Sequence, residues 1–306
     1  MNVLVTGANS FVGSHLCKEL ITRGYQVFAL SYAGETGDIS SLQAHKDFHM
    51  QTTEIQDKDL IQNTIRDNQI KALFHMAARL PGENDAIDPF SCFDINARGT
   101  LNVLNAAYLG GVDSFIYASS MSVYSEPPQH LPVDESHPVQ PSTVYGVAKL
   151  AGELCCNLYS KAMSMEILRY AEAYGQGERE SSAIHTFIKQ ALKNDPITIF
   201  GDGAQTSDFV FVDDIIRGTL LALEKNKSEV YNIGSGKETS VRELARLILG
   251  LTNSSSGTAP TKRESDRPFR FFLDITKAQK ILGYAPRSLE EGLRLYLKEL
   301  NIKVEK

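Results

Sequence analysis

The sequence predicts an α/β protein, a doubly wound parallel sheet followed by a smaller C-terminal α/β lobe. Three observations carry this. Short apolar strand-like runs alternate with helical patterns up to about residue 170, as crossover units require. A glycine-bearing turn, Gly7 to Gly13, stands between the first strand and the first helix, where such folds place a ligand-facing loop. Ser31, His75 to Ala78, Ser119, Ser120 and Arg169 to Glu172 all fall at the carboxyl ends of strands. That is the edge at which open α/β sheets bind ligands.

Asn2–Thr6 reads as a buried parallel strand. Phe11, Val12, Leu16, Leu20 and Ile21 line one side of a helix that Gly24 ends. Gln26–Leu30 is a second strand. Strand, glycine turn, helix, strand is the Rossmann-type context that a dinucleotide fingerprint needs. Glycine lets the backbone bend tightly and approach pyrophosphate, and the helix N-terminus offers free N–H groups to the anion. Ser10 stands at the middle glycine position and is small enough to be tolerated. The second strand ends Leu30-Ser31-Tyr32, without the acid that would take the ribose 2′-hydroxyl of NAD. No Arg or Lys follows until Lys46, and Glu35 and Asp38 are the acids that could fold back instead. NAD versus NADP is left open.

Asp59–Arg66 has a helical pattern, Ile70–Ala78 reads as strand then turn, and Phe90–Leu109 suits one long helix. Ser114–Ser120 is a strand ending in hydroxyls, followed by a Pro-rich loop over 126–141. The next helix carries Tyr145 and Lys149, four residues apart and so on one face. A phenol titrates near ~10, too high for a neutral-pH proton shuttle. A neighbouring ammonium would favour the phenolate and bring it into range for acid–base catalysis. Met165–Tyr170 is one more strand, and its neighbourhood completes a site where Ser120 and Tyr145 reach one cofactor.

In the last third, Ser181–Lys193 reads as a helix and Ile197–Phe200 as a short strand. Ser240 and Glu243 form a capping box opening a helix over 240–250, and Thr252–Pro260 reads as a polar loop. Two helical patterns follow, Ile275–Leu282 and Ser288–Leu300. The predicted division is a dinucleotide-binding domain of residues 1–170 plus about 206–230, and a substrate-binding domain of 171–205 and 231–306. His185 has no second ligand spaced for metal, so no metal site is expected. The run Gly234 to Ser240 lacks a phosphate-loop ending and reads as a turn before a capped helix.

Bulk properties exclude several classes. Net charge is −6 and pI near 5.7, which argues against a nucleic-acid binder. With 42% apolar residues, wholesale disorder is not expected. No apolar stretch is long enough to span a membrane, and the N-terminus does not resemble a signal peptide. Cys17, Cys92, Cys155 and Cys156 form no CxxC pair and read as reduced packing thiols in a cytoplasmic protein.

Taken together, Thr6-Gly7…Gly13, His75-Met-Ala-Ala78, Asn96-Ala-Arg-Gly-Thr100, Ala118–Tyr124, Tyr145-xxx-Lys149, Leu168-Arg169-Tyr170, Gly201-Asp-Gly203, Asp208-Phe209, Tyr231–Gly234 and Lys277…Gly283 carry a signature spanning almost the whole chain. It resembles the extended short-chain dehydrogenase/reductase superfamily, in its branch of NAD-dependent epimerases and dehydratases acting on nucleotide sugars. The resemblance implies that Tyr145 is the acid/base on a sugar hydroxyl. Lys149 would hold the nicotinamide ribose and lower the tyrosine's pKa, and Ser120 would bond the same substrate oxygen. It further implies that Gly7, Phe11, Val12 and Gly13 line the pyrophosphate, that Glu54 and Ile55 sit by the adenine, and that Ala77 and Asn96 line the inner cofactor face. The helices at about 92–109 and 145–161 resemble those that build a four-helix homodimer interface. Some positions depart from the branch. Met121-Ser122 replaces the Asp-Glu pair of dehydratases, which argues against a 4,6-dehydratase and leaves Ser122 as a substrate contact. Glu172 stands where Asn usually touches the diphosphate, and Ser207 replaces an Arg. Arg267 and Arg270 are the cations that could compensate. The expected activity is NAD(P)-dependent hydride transfer at a sugar carbon, C4 of a nucleotide-activated sugar, with a lean toward a 4-ketoreductase over a 4-epimerase. A non-catalytic cofactor-binding or sensing protein of the same fold is the alternative.

Overall fold

The computed structural model describes residues 1–32, 39–80, 88–261 and 269–302. Its first half builds one sheet from β1 (Asn2–Thr6), β2 (Gln26–Ser31), β3 (Phe48–Thr52), β4 (Ala72–His75), β5 (Ser114–Ser120), β6 (Ser164–Tyr170) and a late strand, β11 (Val230–Ile233). The order across the sheet is β3-β2-β1-β4-β5-β6-β11, with every pairing parallel. From β1 the chain steps outward to β2 and β3, then returns to β4 on the other side of β1. That reversal opens a crevice between the carboxyl ends of β1 and β4, where Thr6 pairs with His75.

The side-chain period of two explains how the layers fill. Val3 and Val5 enter one core layer and Leu4 the other; Ile116 and Ala118 face the first, Phe115 and Tyr117 the second. The first layer packs under α1 (Phe11–Thr22) and, from the second half of the chain, α7 (Val212–Lys225). The second packs under α2 (Lys58–Asp67), α4 (Thr100–Leu109) and α5 (Val144–Tyr159).

A third core joins α6 (Ala183–Leu192), β8 (Ile197–Phe200), α8 (Val241–Leu251) and α10 (Leu289–Glu299) in the C-terminal lobe. Ser240 with Glu243 and Ser288 with Glu291 form reciprocal capping boxes at α8 and α10. β7 (Glu172–Tyr174) pairs with β10 (Phe209–Phe211), linking the end of β6 to the entry of α7. The short β9 (Thr206–Ser207) pairs with β12 (Thr239–Ser240), and α9 (Thr276–Leu282) packs on α7 and β11.

Four features differ from the sequence expectation. β3 is an edge strand buried only at Phe48, so it lacks the apolar alternation that marks a strand. Residues 258–261 form β13, parallel to β8, where a loop is expected; Pro260 is tolerated because the strand is an edge. The predicted helix over 90–109 is α3 (Pro89–Phe93), a π-helical turn over Asp94–Gly99, and α4. The domain boundary drawn at 230/231 cuts through β11, whose four residues all pair with β6; the strand goes with the large sheet. Among the described residues no helix is long and apolar enough to cross a membrane.

Candidate active site

The crevice between β1 and β4 has the shape of a dinucleotide cradle. Gly7 has a φ of +67°, and a Cβ there would come within 2.7 Å of the Ala77 backbone, so only glycine fits. Ser10 is more than tolerated. It is the N-cap of α1, accepting from Gly13 N at 3.2 Å and donating to the Gly7 carbonyl at 2.7 Å. Phe11 and Val12, half-buried, open the helix whose N-terminus faces this turn. Ser31 ends β2, and its buried hydroxyl has no partner among the described residues, nor has Oδ1 of Asn9 in the turn. A backbone cradle closed to any Cβ, with orphaned polar atoms at its far end, fits a dinucleotide. Glu54 is exposed just past β3, and Ile55 packs beneath it against Gly99. Glu35 and Asp38 lie outside the described residues.

Asn96 sits differently from its expected place on the cofactor face. It is 1% exposed in the π-helical turn, and its amide is consumed by the Arg79 backbone, accepting from N at 2.9 Å and donating to O at 2.8 Å. It fixes the segment after β4, next to Ala77. His75 anchors the same turn from below. Thr100 donates to the Asn96 carbonyl at 2.6 Å, so His75 Nε2–H donates to Thr100 and Nδ1 accepts from Thr6 at 2.7 Å. Burial first, and then Lys149, push His75 down to about 3, so this bridge is neutral.

Ser120, Tyr145 and Lys149 come together at the carboxyl end of β5. Ser120 is held by Ser122 N at 3.1 Å, within the turn Met121–Val123, and its hydroxyl lies near enough to the Tyr145 phenol to act on its pKa. Tyr145 is half-buried, and its oxygen is enclosed. Lys149 is 2% exposed, donates to the Ala118 carbonyl at 2.6 Å and lies 5.8 Å from the Tyr145 ring centroid.

The expectation that Lys149 lowers the tyrosine's pKa is corrected here. Burial pushes Tyr145 up to about 12, with Ser120 pulling it back. The ammonium is turned to a carbonyl and does not reverse this. Lys149 itself is pushed down to about 8 by burial, so it is protonated at neutral pH.

Behind these residues lies a buried ion pair that the motifs do not single out. Glu153, one turn after Lys149, takes two bonds from Arg169 at 3.0 and 2.7 Å and one from Ser119 at 2.5 Å. Arg169 also donates to Tyr124, which donates to Asn232 on β11. The network bolts α5 to β5, β6 and β11. Its i+4 spacing from Lys149 is the signal that could have revealed it.

On the lobe side, two departures meet each other. Ser207 donates to Glu172 at 2.9 Å, and burial holds Glu172 above the usual carboxylate range, helped by Asp208. Arg270 is not a free phosphate ligand: it makes a fork to Glu238 with both bonds at 2.6 Å. This pair edges a cavity of about 390 Å³ lined by Gly203, Thr206 and Arg242. Arg267 lies outside the described residues.

Comparisons with known proteins show what the chain as a whole is similar to. A relative from Methanocaldococcus jannaschii is 38% identical over 299 residues, covering 95% of this chain and 96% of its own. A UDP-glucose 4-epimerase from Thermotoga maritima, solved with UDP-glucose, superposes with a TM-score of 0.91 at 30% identity, over 98% of this chain and 99% of that one. A UDP-glucuronic acid 4-epimerase from Bacillus cereus, solved with UDP-glucuronic acid and NAD, gives 0.86 at 35% identity over 98% of this chain and all of its own. The pattern of a known family matches residues 3–234, and with these relatives it establishes that the chain belongs to the NAD dependent epimerase/dehydratase family.

Proposed function

We propose that this protein is a nucleotide-sugar 4-epimerase, interconverting the two configurations at C4 of a UDP-linked hexose. The observation that carries the reading is the assembly of Ser120, Tyr145 and Lys149 beside the β1/β4 crevice. Tyr145 removes the proton from the sugar hydroxyl and returns it, while Ser120 holds the same oxygen. A bound oxidised nicotinamide would accept and return the C4 hydride and bring a positive charge to a phenol that burial holds near 12 even with Ser120 pulling it back. Lys149, buried and protonated, holds its place through Ala118 and would help hold the ribose of that dinucleotide.

The names of the two solved relatives support epimerisation over net reduction. Met121 and Ser122 supply no carboxylate beside Ser120, which supports the exclusion of a 4,6-dehydratase. The reading includes a homodimer through the outer faces of α4 and α5, which carry exposed apolar side chains.

The test is to incubate purified protein with UDP-glucose and follow UDP-galactose and nicotinamide absorbance together. Epimer should form with no net consumption of added reduced dinucleotide, and Tyr145→Phe should lower turnover by roughly 10²–10⁴. Product formed in step with oxidation of the reduced dinucleotide would show a reductase instead.

A further inference from the structure

The glycine turn is stitched to the end of β2 on both sides of Ser31. Ala8 N donates to the Leu30 carbonyl at 3.1 Å, and Asn9 Nδ2 donates to the Tyr32 carbonyl at 3.3 Å. A carbonyl needs a donor, so the orientation of the Asn9 amide follows from its chemistry: NH₂ toward Tyr32 and Oδ1 away. Asn9 is 9% exposed, and this Oδ1 has no partner among the described residues. It is an acceptor only, held where a group able to donate would complete it.

The adenosine ribose of a dinucleotide lies at the end of the second strand, beside the glycine turn. A free 2′-hydroxyl there can donate to Oδ1. A 2′-phosphate offers acceptors and negative charge, so acceptor would face acceptor. The Ser31 hydroxyl, also without a partner among the described residues, can donate or accept and does not discriminate. Between Gly24 and His45 the chain has no Lys or Arg to neutralise a phosphate.

We infer that Asn9, through the acceptor it keeps buried at the end of β2, selects the dinucleotide with a free ribose 2′-hydroxyl over its 2′-phosphorylated counterpart. This rests on the reading that the chain binds a nicotinamide dinucleotide at its glycine turn.

The experiment is calorimetric titration of the full chain, freed of nucleotide, with NAD⁺ and NADP⁺ separately. Two variants are compared with the parent, and their melting temperatures are recorded. The parent should bind NAD⁺ at least about tenfold tighter. Asn9→Ala should weaken NAD⁺ by about five- to tenfold and leave NADP⁺ within about twofold, so the preference collapses. Asn9→Asp keeps the acceptor and adds charge; it should retain NAD⁺ within about threefold and weaken NADP⁺ further. A parent that binds both alike, or an alanine variant that loses both equally, overturns the inference. If the alanine variant does not fold, the aspartate variant decides, and an unwidened preference there overturns it. Protein that binds neither dinucleotide overturns the underlying reading and this inference with it.

Discussion

Burial holds the Glu178 carboxyl up to about 7, against an ordinary value of 4.5. Ser182, the N-cap of α6, donates to it at 2.7 Å, but it is 9% exposed and meets the field of Glu172. Because its folded pKa lies above its unfolded one, the folded state binds more protons between pH 4.5 and 7. The contribution to stability is therefore fully present in acid and is lost as pH rises through about 7. Glu178→Gln mimics the neutral form. It should raise the melting temperature at pH 8 by a few degrees, roughly 1–3 kcal/mol, and change little near pH 5. A variant that melts no higher than the parent at pH 8 would count against this account. The pair proposed as catalytic shows the same force. Tyr145 and Lys149 are both moved toward their neutral forms, the tyrosine to about 12 and the lysine to about 8. Their spacing is legible in the sequence because i and i+4 share a helix face. The sign of the tyrosine's shift is not, because desolvation depends on what the fold places around the oxygen.

At the level of elements, α5 must lie very close to β5 for Ser120 to meet Tyr145. Gly152 makes this possible: a Cβ there would collide with the Tyr117 hydroxyl, which donates to the Lys149 carbonyl at 3.2 Å. In an isolated helix, Gly→Ala would stabilise by about 1 kcal/mol. Here the sign should reverse. Gly152→Ala should lower the melting temperature and, by lifting the helix that carries Tyr145, cut turnover by about 10–100-fold. An alanine variant more stable than the parent would mean that the helix sits further from the sheet. Elements whose formation is decided by their own apolar period, such as β1, α1, β5 and α8, are legible in the sequence. Those made by pairing are not. β3 and β13 are edge strands with one hydrogen-bonded side each, and their side chains carry no alternation to read. The π-helical turn is hidden too, since one extra residue per turn shifts helical periodicity without breaking it.

For the whole molecule, the decisive surface is the pair of helices on the outside of the second core layer. The exposed positions of α4 are Leu101, Asn105, Tyr108 and Leu109, and those of α5 are Val144, Val147, Leu154, Asn157 and Leu158. None is charged. A helix facing water normally carries charge on its outer side, and here both charged residues of α5, Lys149 and Glu153, point inward and are buried. Leu158 is 77% exposed and Leu154 59%, so two adjacent turns offer branched aliphatic side chains to a partner. The Tyr108 and Tyr159 rings, 5.7 Å apart, tie the two helices into one face. A second copy suits this face, because a two-fold axis through it would lay each helix pair against its equivalent and bury both apolar stripes at once. Light scattering should therefore give twice the 33.8 kDa chain mass. Leu154→Lys combined with Leu158→Lys should give the single-chain mass, since about four buried ammonium groups would be forced together across the axis. The double variant should keep Ser120 and Tyr145 in contact, because neither leucine touches the core. A parent chain that scatters as one copy at tens of micromolar, or a double-lysine variant that still pairs, would show that this uncharged face meets something other than itself.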